Sequence, residues 1–162
     1  MDGGLGTYLK GTAGGDFIPQ WPRESGIIVT GDANGLATAD LDSDGDEDLL
    51  VAVNNDELKI FTNQSNFEST KVALVGPEGN ADAIGSTIQI HFKEQDRVQS
   101  FEVAAGGGYL SQSSAAVRMP TSQLKDIEKI SIRWPDGSMS EKTPDPESSQ
   151  IQFQFQSQSD AK

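Results

Sequence analysis

The densest cluster of side chains able to do chemistry is acidic, with six carboxylates in the nine positions from Asp40 to Asp48. Asp40, Asp42, Asp44 and Asp48, with Gly45 at the turn, form a D-x-D-x-D-G-x-x-D pattern, and Asp46 continues the alternation of aspartates within it. Ca²⁺ takes six to eight oxygen ligands at about 2.3–2.6 Å, and a chain curling around the ion turns alternate side chains inward. Gly45 permits the sharp bend that this path needs. The pattern therefore predicts a calcium-binding loop.

Within this loop we expect Asp46 to contribute its backbone carbonyl, which leaves its side chain less constrained. We expect Asp48 to close the loop as the next strand begins. An EF-hand would need a bidentate Glu at the twelfth position, but that position is Val51, and no helix is indicated on either side. The spacing thus favours a nine-residue loop between strands.

The alternative for this segment is a solvated acidic turn that holds no ion. Five aspartates crowded into nine residues repel one another, so an ordered loop without a cation would be destabilised. Mg²⁺ fits less well than Ca²⁺ because it retains more of its waters and demands a stricter octahedron. We therefore favour Ca²⁺.

The segments that follow the loop predict strands. Residues 48–54 and 57–63 form a predicted hairpin across the pair Asn55-Asp56. Further strands, most of them with period-two alternation, are predicted at 71–75, 86–92, 97–103, 129–134 and 150–156. The last is rich in glutamine, and we interpret it as a closing strand rather than a prion-like tract. Helix is limited to one or two turns at 121–127, so the predicted class is all-β.

Two segments of the sequence resemble known protein families. The sequence ATADLDSDGDEDLLVAVNN followed by LKIFTN resembles an FG-GAP repeat, also called a VCBS repeat. Residues 69–135 resemble the ASPIC/UnbV domain. The matching motifs are N-A-D-A-I-G (80–85), A-G-G-G-Y-L-S-Q-S-S (105–114) and I-R-W-P-D-G (132–137). The three motifs together are specific, and their order suits that family.

The resemblance implies an FG-GAP-like repeat at 1–64, as at the end of a β-propeller, and a β-sandwich- or barrel-like domain at 65–162. It implies an extracellular protein with upstream propeller repeats, of which this chain would be the C-terminal part. The implied calcium ligands are the side chains of Asp40, Asp42, Asp44 and Asp48 and the carbonyl of Asp46. No catalytic residues are implied.

The charge balance excludes some partners. The 25 acidic residues exceed the 12 basic ones, which gives a formal net charge of −13. Nucleic-acid binding needs a basic surface, so we expect none. The apolar runs are far shorter than the ~20 residues of a membrane span, so no membrane insertion is expected. Cysteine is absent, and the N-terminal stretch shows no apolar signal-peptide core.

Other residues are of types that can act in catalysis or binding, but a structural or surface role explains most of them more simply. His91, the single histidine, falls on the polar face of its strand and is expected at the surface. Gly106 to Tyr109 lacks the lysine of a phosphate loop, so we expect a tight bend with Tyr109 packed over it. Trp134 is in phase with apolar neighbours and is expected in the core. Asn63 begins an N-glycosylation sequon.

The leading functional hypothesis is a non-enzymatic, calcium-binding extracellular interaction or adhesion module with a protein or glycan partner. The alternative is a carbohydrate-binding module of a secreted polysaccharide-processing protein, with Trp21 and Tyr8 as aromatic anchors. An enzyme is less favoured, because the dense carboxylates belong to the loop and the others are scattered.

Overall fold

A computed structural model describes residues 5–12, 14–65, 67–94 and 97–156. Its regular structure is almost entirely β-strand, so the predicted all-β class is confirmed. The chain divides into two compact units. The first holds the residues up to Leu41, Glu47–Gln64 and Gly106–Ser113, and the second holds Asp42–Asp46, Ser65–Ala105 and the residues from Ser114. In the described part of the chain, no helix has the length and apolar character of a membrane span.

The first unit contains a two-stranded hairpin and a three-stranded antiparallel sheet. Its elements are β1 (Tyr8–Gly11), β2 (Phe17–Gln20), the short helix α1 (Pro22–Ser25), β3 (Ala33–Ala39), β4 (Asp48–Val53) and β5 (Lys59–Phe61). Strand β1 pairs with β2, and β4 is the central strand between β3 and β5. Strands β4 and β5 form the predicted hairpin, with Asn55 in the left-handed region at φ 56°.

Strand β4 is the central strand of the sheet and is an almost continuous apolar run, DLLVAV. Val51 and Val53 pack with Val29 in a small buried core, flanked by Ile27 and Phe61. Its partner β3 was not predicted from the sequence. Residues 33–39 lack both alternation and strong strand formers, so their pairing with β4 reflects tertiary context rather than local propensity.

The second unit contains two sheets. Its strands are β6 (Ser69–Val75), β7 (Thr87–Phe92), β8 (Val98–Glu102), β9 (Val117–Pro120), β10 (Ile127–Arg133), β11 (Met139–Lys142) and β12 (Gln150–Gln154). One sheet has the order β11-β10-β7-β8, and the other has the order β12-β6-β9, with β12 parallel to β6. The helical turn predicted at 121–127 is a 3₁₀ helix, Thr121–Asp126.

Both sheets of the second unit contribute to one core, which makes an open sandwich rather than a closed barrel. The predicted alternation is confirmed at Ile88, Ile90, Ile130 and Ile132, all of which are buried. Burial of each such side chain stabilises the fold by about 1.5–3 kcal/mol. The alternation predicted at 97–103 places Phe101 of β8 on the packed face, but this side chain is 37% exposed because β8 is an edge strand.

Two strands of the second unit, β9 and β11, were also missed from the sequence. Strand β9 is only four residues long and ends at Pro120, which has no N–H to continue the ladder. Strand β11 is short and mostly polar, as suits the edge of a sheet. Neither segment carries enough alternation to be recognised locally.

Candidate metal centre

The acidic loop connects β3 to β4. Asp40 directly follows β3, and the chain bends through residues 41–46 before β4 begins at Asp48. Two residues of the loop are left-handed, Ser43 at φ 65° and Gly45 at φ 98°. Glycine adopts this conformation without penalty, as predicted for Gly45, whereas Ser43 adopts it against its intrinsic preference. The left-handed conformation of Ser43 was not predicted from the sequence.

Side-chain to backbone hydrogen bonds curl the loop. The Asp44 N–H donates to Oδ1 of Asp42 at 3.3 Å, and the Asp46 N–H donates to Oδ1 of Asp44 at 3.0 Å. Such bonds from a backbone amide to an Asp two residues earlier form Asx turns. Two successive turns of this kind give the loop the curved path that alternate ligands require.

Three of the predicted ligands lie together. One carboxylate oxygen from each of Asp40, Asp42 and Asp44 lies within 4.8 Å of the others. Oxygens on opposite sides of one Ca²⁺ are separated by at most about 5 Å, given Ca–O distances of 2.3–2.6 Å. All three side chains can therefore reach a single ion, and anionic oxygens are the donors that Ca²⁺ prefers. The residues fit Ca²⁺, and its binding stays a prediction.

Asp48 has a structural role in addition to its predicted one. Its side chain is fully buried, with Oδ2 accepting a hydrogen bond from Leu41 N at 2.9 Å and Oδ1 accepting one from Asn63 N at 2.8 Å. The carboxylate thus ties the start of the loop to the chain that follows β5. It lies outside the cluster of three, and its direct contact with an ion stays a prediction.

The expectation that the Asp46 side chain is less constrained is wrong. The residue is buried, and its Oδ2 accepts a hydrogen bond from the Ser65 hydroxyl at 2.8 Å. A buried carboxylate needs such partners because desolvation penalises its charge. Its carbonyl remains the atom predicted to face the ion.

The carbonyl of Gly45 is held by two side chains of the second unit's strands. Arg118 on β9 donates to it through Nη1 at 2.5 Å, and Ser69 on β6 donates through its hydroxyl. Sequence reasoning missed both residues. No local pattern could have found them, since Arg118 is one of 12 basic residues and Ser69 one of many hydroxyl residues.

One turn of the second unit shows why the N-A-D-A-I-G motif begins with an asparagine. Asn80 closes its turn by donating from Nδ2 to the Ile84 carbonyl and accepting the Ile84 N–H on Oδ1, both at 2.9 Å. A Cβ on Gly76 would lie only 2.0 Å from the Asn80 carbonyl oxygen, so the turn needs glycine four residues before Asn80. These contacts give the N-A-D-A-I-G stretch a defined conformation.

Trp134 lies in the core, as predicted, with 1% of its surface exposed. Its Nε1 donates to the Ser140 hydroxyl at 2.8 Å, and its ring meets Phe155 edge to face at a centroid distance of 5.5 Å. The following turn is closed by Asp136, whose Oδ1 accepts both the N–H and the hydroxyl of Ser138. These two hydrogen bonds lower the pKa of Asp136.

A family model described as ASPIC and UnbV matches residues 76–160. The match spans more than half of the chain and includes all three motifs quoted for the resemblance. The chain belongs to the ASPIC and UnbV family. A comparison with curated proteins found no significant match.

Within the ASPIC and UnbV domain, His91 is half-buried rather than fully at the surface. Its Nε2 lies 2.9 Å from the hydroxyl of Ser131 on the neighbouring strand. Ser131 is only 4% exposed, so a substrate could not reach its hydroxyl for nucleophilic attack. The pair is best explained as a contact that satisfies a buried hydroxyl.

The glycine-rich motif of the ASPIC and UnbV family forms a tight turn, with a β-bridge between Gly108 and Ser111. A Cβ on Gly108 would lie 2.3 Å from the Ser111 hydroxyl oxygen, so a larger residue at this position would force the Ser111 side chain to move. The expectation that Tyr109 packs over the bend is wrong. Tyr109 is at the tip of the turn and is 77% exposed.

Proposed function

We propose that the protein is a calcium-stabilised, non-catalytic interaction module of an extracellular protein. In this proposal the β3–β5 sheet is an FG-GAP/VCBS-type repeat, and the ASPIC and UnbV domain follows it. The observation that carries the proposal is the group of three carboxylates, Asp40, Asp42 and Asp44, in the loop between two paired strands.

Calcium explains an acidic loop that is otherwise electrostatically unfavourable. Three carboxylates within 4.8 Å of one another repel strongly, and one divalent cation converts that repulsion into attraction. Extracellular calcium modules bind with dissociation constants of about 10⁻⁴–10⁻³ M, which the calcium concentration outside cells can satisfy. An extracellular location follows from this requirement.

The apolar character of β4 on both faces supports a propeller-type repeat. Val51 and Val53 fill the small core on one face, and Leu50 lies on the other, where it pairs with Ile60 of β5. Ile60 is 53% exposed, so apolar surface is left on that second face. Strands that are apolar on both faces are typical of sheets covered on both sides, as propeller blades are by their neighbours.

The role proposed for such a module is binding, to a protein or glycan at a surface or matrix. The carboxylates closest together serve the loop, and the single histidine contacts a buried serine. In this proposal the exposed carboxylates of Asp42 and Asp44 are committed to the ion, and the buried serine beside the histidine is out of a substrate's reach, so neither group is assigned a catalytic role.

Calcium titration of the full chain tests the proposal. Isothermal titration calorimetry on chelator-treated protein should show one saturable site. Asp42→Asn should weaken it at least about tenfold, because a charged ligand is lost. Glu57→Gln removes the same charge from an exposed residue outside the loop and should bind calcium like the wild type. Absence of a saturable site, or equal weakening by both variants, would refute the assignment.

A further inference from the structure

The first unit contains a groove of about 650 Å³ that the calcium loop does not use. Its walls come from β1, β3 and β4 and from the turn that contains Gly108 and Ser111. Small-molecule sites typically have volumes of about 300–1,000 Å³ and combine apolar walls with a few polar groups. The groove therefore has the size of a site for a ligand of one or two sugar rings.

Two tyrosines line this groove and remain accessible. Tyr8 of β1 is 43% exposed, and Tyr109 stands at the tip of the turn. Leu36 of β3 adds an exposed apolar side chain to the same wall. Exposed tyrosine rings offer a flat apolar face together with a polar hydroxyl, which suits a ligand that is itself apolar on its ring faces and polar at its edges.

The polar groups of the groove favour a neutral, hydroxyl-rich ligand. Asp32, Asn34 and Ser111 supply carboxylate, amide and hydroxyl groups, and among the residues that the structure describes no Lys, Arg or His lines the groove. The Asp32 carboxylate accepts one long hydrogen bond from Asn54, at 3.5 Å, through Oδ2. A carboxylate can accept several hydrogen bonds, so it retains capacity for ligand hydroxyls. An anionic ligand would be repelled by Asp32 and by a chain of net charge −13.

The turn that carries Tyr109 is strained in a way that the core does not require. Leu110 is left-handed at φ 52° and is also highly exposed. Leucine adopts this conformation only against its steric preference, and such strain is often found at ligand-contacting segments. The exposed Tyr109 ring at the edge of the groove is therefore available to contact a ligand.

We propose that this groove binds a neutral pyranose saccharide. A sugar ring stacks on Tyr109 through its C–H face, while its hydroxyls bond to Asp32 and Asn34. Trp21, the other aromatic anchor considered from the sequence, is exposed but does not line the groove. The saccharide site names a partner class for the interaction role proposed above and so rests on that role, but it does not depend on the calcium loop.

The test is protein-observed NMR titration of the full chain in calcium-containing buffer. Cellobiose, maltose and N,N′-diacetylchitobiose serve as neutral probes, and digalacturonic acid serves as the anionic control. At least one neutral disaccharide should produce saturable shifts at the amides of Leu36 and Ser111. Tyr109→Ala should weaken that binding about fivefold or more, whereas Tyr109→Phe should retain it, because the ring supplies the stacking surface.

The controls separate stacking at the groove from general effects. Trp21→Ala should bind the sugar like the wild type, because Trp21 lies outside the groove, and Asp32→Asn should weaken binding. The saccharide site is refuted if none of the three neutral sugars shifts these amides at about 20 mM. It is also refuted if Tyr109→Ala binds like the wild type or if digalacturonic acid binds more tightly. Calcium-dependent melting of the same sample tests the loop independently.

Discussion

Arg118 Nη1 donates a hydrogen bond to the main-chain carbonyl of Gly45 at 2.5 Å. The hydroxyl of Ser69 donates to the same oxygen, so the tip of the acidic loop is held by two side chains on neighbouring strands, β9 and β6. A guanidinium at this point also places a fixed positive charge beside a group of carboxylates. Its removal should therefore affect the loop through both hydrogen bonding and charge.

Arg118→Met should lower the free energy of unfolding by about 1.5–3 kcal/mol, the range for hydrogen bonds to charged groups. The loss of stability should be larger in chelator than in calcium. Without the ion, the guanidinium is a main positive charge that offsets the repulsion among the aspartates. Chemical denaturation in both buffers measures it.

Arg133→Met is the matched control for that variant. Arg133 donates from Nη2 to the Thr87 hydroxyl on an exposed part of its sheet. Its loss should change the unfolding free energy by less than about 0.5 kcal/mol, with no dependence on calcium. Equal, calcium-independent losses in the two variants would show that Arg118 has no special relation to the loop.

The exposed pair of Lys129 and Glu141 predicts a pH effect between β10 and β11. Lys129 Nζ lies 2.6 Å from Glu141 Oε2, and this hydrogen bond and the attraction lower the pKa of Glu141 and raise the pKa of Lys129. The stability from Glu141 is therefore present above its unfolded pKa and is lost as pH falls through its folded value. The stability from Lys129 is lost only at alkaline pH.

Lys129→Met should raise the pKa of Glu141 towards its ordinary value, as measured by NMR titration of the side-chain carboxyl carbon. Asp136 provides an internal control, since its pKa is lowered by Ser138 rather than by a lysine. It should titrate unchanged in the variant. An unchanged Glu141 titration would contradict the ion pair.

Trp134 should be the most sensitive residue of the ASPIC and UnbV core. Trp134→Ala removes a fully buried ring and should cost about 3–5 kcal/mol. Trp134→Phe keeps most of the apolar volume but leaves the Ser140 hydroxyl without its indole partner, so a smaller loss is expected. Urea unfolding measures both, and Trp21→Phe, at an exposed position, is the control. A loss in Trp134→Ala no greater than in this control would contradict the core position.

The sandwich core could be predicted because its strands have a strong period-two signal. Ile88 and Ile90 alternate with polar residues, as do Ile130 and Ile132, and all four are buried. Phe153 shows the same pattern in a strand rich in glutamine. Composition alone could misassign this tract as prion-like. Alternation was informative here because each strand has one packed face.

The candidate site could be predicted only in its local part. The spacing of Asp40, Asp42 and Asp44 determines a ligand cluster within one short loop, and the structure brings these three together. Arg118 and Ser69 could not be predicted, because their contact with Gly45 joins positions far apart in the chain. The side-chain partner of Asp46 was missed for the same reason.

Two substitutions at Asp44 should separate its charge from its hydrogen bond. Its Oδ1 accepts the N–H of Asp46, and an asparagine can keep that bond while losing the charge. Asp44→Asn and Asp44→Ala should both weaken calcium binding. In chelator, Asp44→Asn should be at least as stable as the wild type because repulsion is relieved, whereas Asp44→Ala also loses the turn. Thermal melts in chelator that rank Asp44→Ala above Asp44→Asn would contradict this role of the side chain.

The central claim, a calcium-stabilised loop, is tested most directly by the melting temperature of the wild type in calcium and in chelator. A ligand at a hundredfold excess over its dissociation constant stabilises the folded state by about 2.7 kcal/mol, so calcium should raise the melting temperature by about 5–10 °C. Asp44→Asn should lose most of this increase. Identical wild-type melting curves with calcium and with chelator would contradict the assignment.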